Sequence, residues 1–163
     1  MIQLREIRES DLKEVQKHAS HTEISRMSYV PSPYPKDGAL SWFKFISPKI
    51  QSETAKVYVI ELNGYFSGIM TLNKFLQAEK STSIDYWVRA DFHGQGIASK
   101  AVSLAIDVAT SFGIRTFNSG CLAKNIGSKK VLLKNGFSIQ ESFVLEDGKY
   151  QGEEMLLFRQ TRT

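Results

Sequence analysis

The chain has 163 residues, a length that fits one domain spanning 1–163, and 42% of them are hydrophobic, enough to fill a sizeable core. Its formal charge of +4 is a mild bias without any block of five like charges, so it offers no nucleic-acid arm, and an anionic ligand suffices to explain it. The single cysteine, Cys121, excludes an internal disulfide; His18, His21 and His93 are scattered without zinc spacing, and no 18-residue apolar run occurs. No metal and no membrane are expected, and the expected compartment is the reducing cytoplasm.

Ile2 to Arg8 alternates as a first strand, with a slip near Glu6. Ser10 or Asp11 caps a helix whose apolar face is Leu12, Val15 and Ala19. A second short helix over His21–Tyr29 ends at the cluster Pro31, Pro33 and Pro35, a rigid loop and not a linker, because patterned elements resume at once. Asp37–Ile50 has helical spacing, with Leu40, Phe43, Ile46 and Ile50 on one face. Lys56–Glu61 and Tyr65–Phe75 are strands joined by the hairpin turn Asn63-Gly64.

Ser81–Arg89 is the next strand. Gly96–Phe112 is the clearest helix, with Ile97, Ala101, Leu104, Ala105, Val108 and Phe112 in register and Gly113 as its stop. Ile114–Leu122 returns parallel to the Ser81 strand, a β-α-β crossover. A short helix over Asn125–Lys134 closes at Asn135-Gly136. Phe137–Glu146, the turn Asp147-Gly148 and Tyr150–Arg159 form a last hairpin. The predicted class is α+β: a single mixed, mostly antiparallel sheet with one parallel pair, flanked by helices.

Two stretches carry chemistry. His93-Gly94-Gln95-Gly96-Ile97-Ala98 leads from a strand into a helix, so free backbone N–H groups and the positive end of the helix dipole meet at one point, a site for phosphate. It is not a Walker loop, since no Gly-Lys-Ser/Thr follows, and it lacks the third glycine of a dinucleotide fingerprint. Downstream, Asn125 and Ser128 stand at the first turn of a helix directly after the parallel strand. Alone they read as an ordinary cap and a first-turn serine.

Together the two stretches resemble the GNAT superfamily of N-acetyltransferases, and within it the ribosomal-protein alanine/serine N-acetyltransferase-like branch. The family pattern Arg/Gln-x-x-Gly-x-Gly/Ala is matched from His93 to Ala98, with His93 where Arg or Gln is usual. The branch pattern Asn-x-x-Ser-x-x-Val-Leu-x-Lys-x-Gly-Phe is matched through Asn125, Ser128, Val131, Leu132, Lys134, Gly136 and Phe137.

The resemblance implies acetyl-CoA as cosubstrate, bound where the two parallel strands splay apart. Its pantetheine amides would pair with main chain near Trp87 and Val88, and its pyrophosphate would meet the N–H groups of Gly94, Gln95, Gly96, Ile97 and Ala98, with His93 beside them. Asn125 would bond the pantetheine arm and Lys130 would face the phosphates. Lys130 reads equally as a solvated helix lysine.

The implied reaction is attack of a neutral amine on a thioester, which requires a carbonyl-polarising donor, a base and an acid. Val88 N–H is the candidate donor. Leu132 replaces the tyrosine that many relatives use as acid, which leaves Ser128. The branch's glutamate falls on Ser83, which leaves Asp85 as candidate base, with Glu153 or Glu154 of the last hairpin as alternatives. The expected function is N-acetylation of a protein or peptide N-terminus by direct attack in a ternary complex. A small-amine acetyltransferase or a non-catalytic CoA-binding sensor are the alternatives, and the oligomeric expectation is monomer or homodimer.

Overall fold

A computed structural model describes residues 1–162. The strands β1 (Ile2–Glu6), β2 (Lys56–Leu62), β3 (Tyr65–Leu76), β4 (Ser81–Val88), β5 (Thr116–Leu122), β6 (Ser138–Val144) and β7 (Glu154–Thr161) form one sheet in the order β1-β2-β3-β4-β5-β7-β6. Every pairing is antiparallel except β4 with β5. The helices α1 (Leu12–Ala19), α2 (Thr22–Arg26) and α3 (Gly38–Gln51) precede β2, while α4 (Ile97–Ser111) and α5 (Ile126–Lys134) flank β5 in the chain.

The period of two along each strand divides the core between the two sheet faces. Tyr58, Ile60, Met70, Leu72 and Ile84 pack with α4 on one face, whereas Val57, Val59 and Ile69 pack with α1 and α3 on the other. Central strands buried on both faces read as unbroken apolar runs, as Val57-Tyr58-Val59-Ile60 does. The hairpin at Asn63-Gly64 is as expected: both residues have positive φ, 51° and 85°, which matches the twist of the flanking strands.

Three sequence expectations are corrected. The buried stripe of α4 is Ile97, Ala101, Val102, Ala105, Ile106 and Ala109, rotated from the expected one. Its alanines let the helix close on the sheet, while Phe112 lies past the last turn, 41% exposed, edge-on to Phe75. On α3, Ile46 is buried as expected, but Leu40 faces solvent and Ala39 is buried in its place. The last hairpin is not tight: β6 ends at Val144 and β7 begins at Glu154, so Tyr150 belongs to the connecting loop.

The feature that positions the site is the β4–β5 pairing. It covers only Ser81 with Thr116, Thr82 with Phe117 and Ser83 with Asn118. Beyond Ser83 the strands part. Ser119 Oγ donates to the Ile84 carbonyl (2.8 Å) at the fork, a side chain taking over where backbone rungs stop. On the other edge of β4, a Cβ at Gly68 would stand 2.1 Å from the Trp87 carbonyl oxygen, so only glycine lets β3 press this closely on the end of β4.

Candidate active site

The fork opens a row of backbone groups. Arg89 N–H donates to the Ser67 carbonyl on β3 (2.8 Å), while the Ile84 carbonyl is reached from β5. The alternation of a strand therefore aims the main-chain groups of Ile84, Tyr86 and Val88 into the gap and those of Asp85 and Trp87 toward β3. Trp87, expected to offer its backbone to a ligand, is turned the other way, and Tyr86 takes that place. The Trp87 ring packs instead near Phe66 (6.0 Å between centroids) on the α1/α3 face.

At the end of β4 the His93 ring folds back, its Nε2–H donating to the Val88 carbonyl (2.6 Å). The carbonyl is thus satisfied and the Val88 N–H remains the gap-facing donor at that end. His93 acts on the strand end, not outward through this nitrogen, and only its backbone continues into the glycine loop. Gly94 and Gly96 both have left-handed φ, 80° and 76°, and a Cβ at either would meet nothing within 4 Å. Space is open there; the backbone conformation is what demands glycine. Gly96 is the N-cap of α4 and has no side chain to cap it, so the first-turn N–H groups at Ile97 and Ala98 are left without a side-chain cap.

Across the gap, Asn125 caps α5 and its Oδ1 accepts from Ser128 N–H (3.1 Å). That fixes the first turn so that Ser128 Oγ meets Tyr86 Oη at 2.8 Å. Burial pushes the Tyr86 phenol up to about 12, the Ser128 hydrogen bond only partly opposing it, so Tyr86 is a neutral donor at neutral pH. Cys121 lies on the same wall, buried, and burial holds its thiol above the ordinary range, with Ser128 and Lys129 pulling the other way. Tyr86 is the cleft residue that sequence reasoning missed, while Cys121 is a small buried residue beside the fork. The signal available for Tyr86 was its position, on a strand of the predicted parallel pair.

Behind this wall lies a cavity of about 960 Å³ on the α1/α3 face, roofed by the loop after α2 and by the β6–β7 loop. Tyr29, Tyr34, Trp42 and Tyr150 line it, as does Ser128. Among the described residues, Asp85 is the one charged side chain in the lining. Asn73 Nδ2 donates to Asp85 Oδ2. Burial among protein atoms raises the Asp85 pKa, with Asn73 and Lys74 pulling the other way. Asp85 nonetheless remains exposed to solvent in this recess, which tempers that rise.

The remaining candidates lie elsewhere. Glu153 is outside the cavity lining and forms an exposed ion pair with Lys124 (3.2 Å). Glu154 is exposed at the start of β7, opposite Val144. Lys130 is an exposed residue of α5. Leu132, where many relatives carry a tyrosine, is fully buried in the core.

A forked parallel pair, a glycine loop at one side and a half-buried hydroxyl pair in the cleft is a constellation that comparison with known proteins can decide. The Acetyltransferase (GNAT) domain family matches residues 2–138. The chain belongs to the GNAT acetyltransferase family. Ribosomal-protein-serine acetyltransferase of Escherichia coli (strain K12) is 32% identical over 87 residues, 53% of this chain and 49% of that protein. The match thus spans about half the length of that curated relative.

Among solved structures, RimL, a ribosomal L7/L12 alpha-N-protein acetyltransferase in complex with coenzyme A, superposes with a TM-score of 0.90. It has 19% identity, covering 99% of this chain and 94% of that one. Spermidine N-acetyltransferase from Vibrio cholerae, in complex with CoA and spermine, gives 0.85 at 14% identity, covering 99% and 95%. The fold is the GNAT fold. No helix among the described residues is long and apolar enough to cross a membrane.

Proposed function

We propose that this GNAT enzyme acetylates the N-terminal amine of a protein or peptide by direct attack on acetyl-CoA in a ternary complex. The observation that carries the reading is the fork itself. The main-chain groups of Tyr86 and the N–H of Val88 line one wall, and Ser128, bonded to Tyr86, lines the other. Behind them the cavity carries a single charge, Asp85.

In this reading the pantetheine amides replace the missing β4–β5 rungs, and the pyrophosphate meets the N–H groups from Gly94 to Ala98. Asn125 holds the first turn of α5 against the arm, and Lys130 remains a solvated lysine beside it. Val88 N–H polarises the thioester carbonyl. Asp85, its pKa raised, takes a proton from the arriving ammonium. The amine lone pair attacks the carbonyl carbon, the C–S bond breaks, and the departing thiolate takes the Ser128 hydroxyl proton. The proton that the nitrogen sheds on becoming an amide passes to solvent, from which the Tyr86–Ser128 pair is reprotonated. The RimL structure, in which coenzyme A is disulfide-bonded to a cysteine, supports a thiol arriving on such a wall. In this chain Cys121 lines the same cavity as Ser128.

The acceptor assignment rests on the ribosomal-protein-serine acetyltransferase and RimL likenesses and on the cavity's charge. A polyamine carries several positive charges and calls for several carboxylates, whereas this lining offers one. The aromatic lining suits one amine on a larger, partly apolar body. Thiol release from acetyl-CoA, followed over a panel of N-terminal peptides and polyamines, tests the reading. Turnover of Ser- or Ala-initiated peptides is expected. Faster turnover of spermidine than of every peptide would replace it.

A further inference from the structure

A second recess, of about 860 Å³, continues from the cavity along the same sheet face, and the two share Asp85, Ser119, Gly120 and Leu157. By strand alternation its floor comes from one face of four strands: Asn73 on β3, Ser83 and Asp85 on β4, Asn118 and Gly120 on β5, Arg159 on β7. The α3 helix, ending at Gln51, covers the β1–β3 half of this face and leaves this half open. An uncovered sheet face is ordinarily either apolar and capped or crowded with long side chains. Here it is floored by serine, asparagine and glycine, which are small and can bond a backbone.

The charges around the floor are unbalanced. Lys49, Lys74 and Arg159 face the groove against Glu141 and Asp85, an excess of one positive charge, and none of the five has an ion-pair partner among the described residues. Arg159 Nε donates to Asn118 Oδ1 (3.0 Å), which lays its guanidinium across the floor. From Asp85 back to Ser81 the strand runs roughly 13 Å, room for about four extended residues.

Resting on the N-terminal acceptor reading above, we infer that this groove binds the acceptor chain beyond its amine. It selects protein N-termini with an acidic residue within about four positions of the acetylated one. The amine lies at Asp85, and the following residues run over Ser83 and Asn118 toward Arg159, Lys74 and Lys49. The continuity with the cavity gives the direction and the excess positive charge gives the preference.

The test uses the full chain and three hexapeptides alike except for Asp, Ala or Lys at their third and fourth positions, with kcat/KM read from thiol release. The expected order is Asp over Ala over Lys, with about tenfold between the extremes at low salt, shrinking as salt is raised. The double variant Lys74→Glu with Arg159→Glu is expected to reverse the order, an outcome that misfolding cannot produce. Peptide turnover without a charge preference, or a preference that the double variant leaves intact, overturns the groove assignment alone. Turnover of small amines but of no peptide overturns the N-terminal acceptor reading, and the groove assignment with it.

Discussion

The residue that decides most about this site is Asp85, because a carboxylate pulls protons from an ammonium only as well as its pKa allows. Burial raises that pKa, so the acid limb of kcat/KM against pH should lie above the ordinary carboxylate range. Asp85→Asn should remove the limb and lower the rate by about 10²–10⁴-fold, the usual worth of a general base. A pH–rate profile that keeps its acid limb in Asp85→Asn would dismiss the assignment.

The Tyr86–Ser128 pair makes a separable prediction. Ser128→Ala removes the proposed proton donor together with a partner for the half-buried Tyr86 phenol, and should lower kcat more than it weakens CoA binding. Tyr86→Phe, which keeps the serine, should give a smaller loss. Equal kcat in all three proteins, measured by thiol release, would remove the pair from catalysis. Ser128 was legible in the sequence because capping chemistry fixes its place relative to Asn125. Tyr86 was not, because its partner is 42 positions away and only the sheet brings them together.

Among the elements, α4 and its glycine loop carry the proposed anion cradle, and their readability is instructive. Left-handed φ at Gly94 and Gly96 is a local requirement, so the two glycines announced themselves in the sequence. Gly96→Val should weaken CoA binding by at least tenfold while leaving the α4 stripe buried, since a β-branched residue resists that φ and the space around it is open. Unchanged affinity by calorimetry would sink the cradle.

The β6–β7 loop was misread for the opposite reason. Asp147-Gly148 has the local look of a tight hairpin, but Tyr150 is recruited by distant partners. Its hydroxyl lies within hydrogen-bond reach of the carbonyls of Ser25, Arg26 and Ser28 at 2.9, 2.9 and 2.7 Å, and Lys149 Nζ donates to those of Ser25, Ser28 and Val30. A cation at the frayed C-terminal carbonyls of α2 ties the two halves of the cavity roof together. Tyr150→Phe should raise the acceptor KM several-fold with little change in CoA affinity. An unaltered KM would mean the roof does not shape the acceptor site.

At the scale of the whole molecule, the two-faced core was legible because apolar periodicity reports burial directly. The rotation of the α4 stripe was not, because alanines mark a close-packed face only once the opposing strands are known. The polar elements make stability depend on pH. Asp11 accepts from both terminal nitrogens of Arg5 (2.9 and 2.7 Å) and from Arg8 N–H (2.7 Å). Burial opposes its charge, but these bonds outweigh burial and hold the carboxyl below its ordinary value.

His18 is also depressed, chiefly by burial, with its Nε2 lacking a hydrogen-bond partner and its ring stacked on Phe66. Both folded values lie below the unfolded ones. The His18 contribution is therefore present above its unfolded value of 6.5 and lost as pH falls through its folded value, and the Asp11 contribution is lost below 3.8. The melting temperature should decline on acidification in two stages. His18→Asn should flatten the upper stage, and Asp11→Asn should cost about 1.5–3 kcal/mol at neutral pH. A melting temperature independent of pH between 7 and about 4 would contradict the burial of His18.

The join between β4 and β5 has a mechanical meaning. Three residue pairs and one serine hydroxyl are the sheet's connection between the β1–β4 half and the β5–β7–β6 half. A cosubstrate that bonds both banks of the fork is therefore a removable splint. With it in place the two halves are expected to move as one plate, and without it the β5–β7–β6 half is expected to open as a unit at a free energy below that of global unfolding. Amide exchange in β7, which touches no ligand atom in this picture, would then slow when CoA is added, so occupancy of the cleft is written into the rigidity of a strand beyond its reach.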